Sequence, residues 1–147
     1  TVHRQPKLRI AGSSLQRLRE RVKSLLRARR GSQLTWLIER LNPVLRGWSS
    51  YFKLSQSKRP VEELDGWVRR LLRNVLWRHW KRPVTRARNL MRLGLPEERA
   101  WKSATNGRGP WWNAGALHLR QALPKKRWDA LGLVSILDTI TRLSRMA

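Results

Sequence analysis

Cysteine is absent from this 147-residue chain. That removes disulfides and thiolate metal ligands, and it fits a reducing compartment. Acids are scarce too: nine Asp and Glu stand against 33 Lys and Arg, a formal net charge of +24. Two-metal phosphoryl transfer needs carboxylates gathered around its ions. Here no Asp-Asp pair occurs, the acids are scattered, and Glu62, Glu63 and Asp65 are the closest grouping. His3, His79 and His118 lie far apart with no Cys partners, against the usual spacing of a zinc site. No Ser, Lys or His sits in a nucleophile motif, and no Gly-rich loop leads into a helix through Lys-Ser/Thr. The sequence has no apolar run long enough to span a bilayer, and its start is polar and basic rather than that of a signal peptide. The expectation is a chain with no catalytic centre, no metal and no cofactor of its own.

What is present is positive charge, leucine at helical spacing and nine tryptophans, against one Tyr and one Phe. A compact body carrying +24 repels itself, and a polyanion relieves the repulsion. Nucleic acid is the first candidate, through counterion release and aromatic stacking. An anionic membrane surface is the alternative. With 40% apolar residues the chain has enough to fold.

The periodicity predicts helices throughout. Residues 1–12 read as a tether or the last strand of something upstream. Ser13 or Ser14 caps a helix to about Arg30, with Leu15, Leu18, Val22, Leu25 and Leu26 inward. Arg17, Arg21, Lys23, Arg27 and Arg30 occupy its other sides, where a merely solvated helix mixes signs. Ser32 starts a second helix. Asn42-Pro43 then bends or restarts it, with Asn capping and Pro at the first position of a restarted helix. From there Val44, Leu45, Trp48, Tyr51 and Phe52 share one face, Arg46, Ser50 and Lys53 another, and Gly47 leaves room for a neighbouring backbone.

A third helix is expected from about Val61 to Lys81, with Trp67 and Leu71 in its core stripe and acids at its start complementing the dipole. Arg70, Arg73, Trp77 and Lys81 lie opposite. Trp77 there either stacks on a base, pairs with an arginine or packs on the next subdomain. Lys81-Arg82-Pro83 breaks the helix and marks a domain boundary. A short helix follows, carrying Arg86, Arg88 and Arg92 and stopped by Gly94, then another from Pro96 to about Ala104. Thr105 to Ala114 reads as a loop holding Arg108, Trp111 and Trp112, one Trp at most being core and the other a base platform or a clamp. Beyond Pro124, Lys125, Lys126 and Arg127 open a helix, where cations suit a bound anion. Trp128, Leu131, Leu133, Ile136, Leu137, Ile140 and Leu143 form a terminal core. The fold class expected is therefore all-α: a three-helix bundle over 13–82, then a small, loop-rich helical domain over 83–147.

The words along the chain are more specific than their periodicity. Leu41-Asn42-Pro43, Leu45-Arg46-Gly47-Trp48 and Tyr51-Phe52 are followed by Glu63-Leu64-Asp65-Gly66-Trp67-Val68-Arg69-Arg70 and Leu76-Trp77-Arg78-His79-Trp80-Lys81-Arg82-Pro83. Thr85-Arg86-Ala87-Arg88-Asn89-Leu90, Arg92-Leu93-Gly94, Gly109-Pro110-Trp111, Ala116-Leu117-His118 and Leu131-Gly132-Leu133 complete the series. In this order they resemble the maturase-specific thumb, or domain X, of group II intron reverse transcriptases, and the DNA-binding domain after it.

The resemblance implies that residues 13–82 are the thumb, gripping template–primer and intron RNA during splicing. It implies that 83–147 contact target DNA in retrohoming. Finger and palm domains would precede Thr1 in a parent RNA-directed DNA polymerase, with Mg²⁺ belonging to that polymerase and to the intron ribozyme. If Ala147 is a true end, the parent would be of the type lacking the Cys- and His-rich endonuclease module that some members carry. The implied setting is the bacterial cytoplasm, nucleoid-associated when DNA is bound, or an organelle. A free-standing splicing factor that lost its polymerase is the alternative, and a structural protein of an RNA–protein particle is a third.

Overall fold

The computed structural model describes residues 12–28, 33–54 and 58–146. Arg30, the Gly31 stop, the Ser32 start and most of the 1–12 tether lie outside them. The described residues are all-α and contain no strand. In chain order the helices are α1 Gly12–Ala28, α2 Leu34–Phe52, α3 Arg59–His79, α4 Pro83–Arg92, α5 Glu97–Ala104, α6 Pro110–Gly115, α7 Leu117–Ala122, α8 Lys125–Ala130 and α9 Ile136–Met146. Contacts group them into two compact units, one drawn from residues 1–66 and 132–147, the other being Trp67–Leu131.

In the first unit α2 packs on α1 and α9. Leu18 and Val22 of α1, Leu41, Leu45 and Phe52 of α2, and Ile136 and Ile140 of α9 are fully buried. Each such side chain contributes about 1.5–3 kcal/mol.

There is no restart at Asn42-Pro43: α2 continues through Pro43 as one helix. Proline costs the helix one bond, from the Glu39 carbonyl. Glu39 and Pro43 are both on the exposed side, where water can meet that carbonyl. Asn42 does not cap α2 because its amide is used elsewhere. Its Nδ2 donates to the Gly132 carbonyl at 2.8 Å, and its Oδ1 accepts from the Val134 N–H at 2.9 Å. One buried side chain thus ties mid-α2 to the turn that leads into α9. Gly132 sits at φ +90°, a conformation that suits glycine.

Asp65 does the same for the start of α9. Its carboxylate is buried and accepts from the Ile136 N–H at 2.9 Å, the Leu137 N–H at 3.0 Å and the Ser135 hydroxyl at 2.9 Å. Ser135 in turn accepts the Asp138 N–H at 3.2 Å. The otherwise orphaned amides of the first turn of α9 are therefore satisfied, two of them by a residue of another helix. The sequence pattern assigned Asp65 to the dipole of its own helix; it serves that of α9.

The aromatic face of α2 is only partly core. Phe52 and Leu45 are buried, Trp48 is half-buried, and Tyr51 is 46% exposed. The three rings form a cluster, Trp48 stacked on Phe52 at 5.4 Å and Tyr51 edge-on to both. The Tyr51 hydroxyl reaches Ser14 Oγ of α1 at 3.1 Å. Tyr51 thus joins α1 to α2 through its polar tip, which corrects the expectation that it is buried. A Cβ placed on Gly47 would meet nothing within 4 Å, so among the described residues no backbone packs there.

In the second unit α4 and α5 pack together. Ala87, Ala100 and Ala104 are buried there, and small side chains let short helices come close. Gly94, at φ +105°, ends α4. Its N–H meets the Met91 carbonyl and the Leu95 N–H meets that of Leu90, both at 3.0 Å. This is a Schellman closure, with Leu95 buried behind it. Trp67 and Leu71, expected in the core, are half-buried.

Candidate nucleic-acid interface

The basic residues divide into those that face solvent and those that hold the second unit together. On α1, Arg17, Arg21, Lys23 and Arg27 are exposed. Arg17 and Arg21 are four residues apart, as are Lys23 and Arg27. Like charges at that spacing repel on a helix and gain from a bound anion. Arg46 and Ser50 are exposed on α2, and so is Lys53 at its C-cap. So are Lys81, Arg82, Arg88 and Arg92, the last pair again one turn apart along α4.

Three arginines expected to face outward bond backbone carbonyls instead. Arg70 and Arg73 stand one turn apart on α3, and they bond carbonyls one turn apart on α6. Arg70 donates through Nε at 3.3 Å and Nη2 at 2.8 Å to the Trp111 carbonyl, and Arg73 Nε donates at 2.7 Å to that of Ala114. Arg86 donates through Nε at 3.2 Å and Nη2 at 3.0 Å to the Trp77 carbonyl, in the last turn of α3. The Ala114 and Trp77 carbonyls lie in the last turns of α6 and α3, where carbonyls lack intrahelical partners and carry the negative end of the dipole, so a guanidinium satisfies them.

Arg73 is buried. Burial lowers its pKa to about 10, with repulsion from Arg69, Arg120 and Arg70 adding to the fall. It is therefore a structural cation and not a surface contact. Burial also lowers the pKa of Arg86.

Trp77 is 1% exposed. Arg86 lies over its ring at 4.6 Å, and His118 and Trp80 flank it at 5.5 and 6.3 Å. Its ring is not open to stack on a base. It lies opposite the core stripe of α3 because the rest of the second unit covers that side as well. Trp111 and Trp112 lie on α6, not on the expected loop, and are 41% and 46% exposed. Arg70 sits 3.8 Å over Trp111, and Arg108 lies 5.2 Å from Trp112. A Cβ on Gly115 would come within 2.6 Å of the Arg70 guanidinium, so glycine there leaves space for the fork. The arrangement presents two exposed indoles, each paired with a cation.

The turn before α6 is held by two asparagines. Asn106 Nδ2 donates to Asn113 Oδ1 and to the Ser103 carbonyl, each at 2.7 Å, and its Oδ1 accepts the Arg108 N–H at 2.7 Å. Asn113, buried, donates to the carbonyls of Arg108 and Gly109 at 3.0 and 2.9 Å.

In the cationic triplet, Lys125 pairs with Asp129 at 2.8 Å, while Lys126 and Arg127 are exposed. Arg40, stacked on Trp36 at 4.8 Å, and the exposed Lys102 and Arg120 are further surface cations. The Trp-x-x-x-Arg spacing of 36 and 40 was the available signal for the first.

Glu62, Glu63 and Asp65 do not converge. Asp65 is spent on α9, and Glu63 lies 3.5 Å from Arg59 in an exposed pair. Among the described residues no three His, Cys, Asp or Glu side chains are placed to hold a metal ion. Nor is any helix among them long and apolar enough to cross a membrane.

An all-helical protein with a basic surface far in excess of its acids is thus defined by fold and charge together. Residues 15–94 match the model of the group II intron, maturase-specific domain. The match covers more than half of the chain and runs from the first turn of α1 to the glycine that closes α4. The protein belongs to this maturase family, whose role is in the splicing of group II introns. No curated protein matches it significantly.

Proposed function

We propose that this chain is the non-catalytic, nucleic-acid-gripping part of a group II intron maturase and reverse transcriptase. Residues 13–82 act as the thumb on intron RNA and template–primer, and residues 83–147 act on primer or target DNA. Polymerase chemistry and its Mg²⁺ belong to finger and palm domains of the same polypeptide, since the carboxylates here do not converge. The observation that carries the reading is the basic helix surface. Arg17 with Arg21, Lys23 with Arg27 and Arg88 with Arg92 are exposed like-charged pairs in a chain of net charge +24. Phosphates would release counterions there and relieve the repulsion.

The test is binding of group II intron RNA across a salt series. The expected result is a steep linear fall of log K with log salt, amounting to roughly a thousandfold between 50 and 200 mM for contacts to six or more phosphates. A flat dependence would remove the phosphate-contact reading.

A further inference from the structure

Helix α6 carries two adjacent indoles that stay open to solvent, Trp111 at 41% and Trp112 at 46% exposure. Open apolar surface of that kind marks a binding site. The mount beneath them is rigid. Asn106 and the buried Asn113 bond each other and the carbonyls of Ser103, Arg108 and Gly109 on one side. Arg70 and Arg73 of α3 bond the carbonyls of Trp111 and Ala114 on the other.

The two rings differ in what already meets them. Trp112 has two neighbours, Arg108 at 5.2 Å and His118 at 6.3 Å. Trp111 has the Arg70 guanidinium 3.8 Å over one face, and no other ring or cation meets it among the described residues. Arg70 is pinned in that position by its two bonds to the Trp111 carbonyl, with Gly115 leaving it room. One face of the Trp111 ring is therefore closed, and its exposed area belongs to the opposite face and the rim.

Charge selects what covers that face. In residues 67–131 the acids are Glu97, Glu98 and Asp129 alone, while Lys and Arg recur throughout. Arg108 is exposed, and its guanidinium makes no hydrogen bond or ion pair among the described residues. Lys102 and Arg120 are exposed as well. An apolar protein surface would leave these cations uncompensated. A nucleotide offers a flat base to the ring and a phosphate to the cation. Inside a duplex the faces of each base are taken by its neighbours, so the ring suits an unpaired base.

We propose that Trp111 is a stacking platform for one unpaired base of the bound nucleic acid, with Arg70 backing the ring and Arg108 taking the adjoining phosphate. The proposal rests on the nucleic-acid-binding reading above and adds a site to it. RNA and single-stranded DNA both offer such a base.

The experiment measures binding of the full chain to oligo(rA), to oligo(dA) and to an abasic strand of equal length. The phosphates are shared, so the preference over the abasic strand reads the bases. Trp111→Ala should cut that preference roughly tenfold, the scale of one stacked base, and leave the abasic affinity and its salt slope as in the wild type. Trp111→Phe should recover most of the loss. The Arg70 bonds go to the main chain, so both variants should melt as the wild type does by circular dichroism. The larger loss, with oligo(rA) or with oligo(dA), names the source of the base. A second measurement needs no substitution: a strand of 5-iodouridine should photocross-link to Trp111 of the wild type, located by mass spectrometry. An undiminished preference in folded Trp111→Ala overturns the platform, as do cross-links that avoid residue 111. Equal wild-type affinity for all three strands also overturns it, with the phosphate-contact reading left standing and the ring assigned to a protein contact. If no strand binds, both readings fall.

Discussion

Removing the Asp65 carboxylate tests whether the first unit is closed by one buried cap. Asp65→Ala takes away an acceptor that serves the Ile136 and Leu137 amides and the Ser135 hydroxyl, at 2.9, 3.0 and 2.9 Å. Loss of an N-cap costs about 0.5–2 kcal/mol, and each amide left buried and unmet costs about 1–3 kcal/mol. These terms overlap. Part is returned because a buried charge no longer has to be desolvated. A net loss of roughly 3 kcal/mol follows, a large share of a typical stability of about 5–15 kcal/mol. Urea unfolding followed by helical circular dichroism gives the value, and the midpoint should fall clearly. Asp65→Asn should recover only part of the loss, because its amide nitrogen would face a second N–H. Ser135→Ala should lose about 1 kcal/mol. In the double variant the two losses should not add, since they share one bond. An Asp65→Ala midpoint within about 0.5 kcal/mol of the wild type, the range of an ordinary surface substitution, would show that α9 is held by its apolar face alone.

Arg73→Ala should destabilise the second unit by about 1.5–3 kcal/mol, since it removes a charged bond to the Ala114 carbonyl, whereas Arg46→Ala should leave the unfolding curve unchanged and weaken RNA binding; parallel melting and binding measurements separate the two. The His118 imidazole is held below its usual 6.5, chiefly by burial and then by Arg99. The unfolded chain therefore takes up a proton near pH 6.5 while the folded chain stays neutral, so this contribution to stability is full above that pH and is lost as pH falls toward the folded-state value. Urea midpoints between pH 8 and pH 5 should decline on the acid side, and His118→Gln should flatten that decline.

The helices were largely legible in the sequence because local rules set them. Leucine spacing marked α1 with Leu18 and Val22 inward, Pro83 and Gly94 bracketed α4, and Pro96 with two acids opened α5. The family was legible too, because ordered words such as Leu45-Arg46-Gly47-Trp48 survive whatever surrounds them. Expectation and structure part where a side chain has a choice of partner. Asn42 can cap its own helix or bond a distant turn, and only the approach of Gly132 and Val134 decides for the turn. Asp65 can complement α3 or close α9.

Trp77, Arg73 and Arg86 look like an outward basic face when α3 is drawn as a wheel, because a wheel shows one covered side. Folding covers the second side with α4 and α7, and the same residues become a buried ring and caps for orphaned carbonyls. The sequence by itself thus determined that the chain is helical, from its leucine spacing, and strongly cationic. Which cations stay free for phosphate, and which are spent on carbonyls, was decided only by tertiary structure. Arginine can donate to either acceptor, and the tertiary fold sets which one lies within reach.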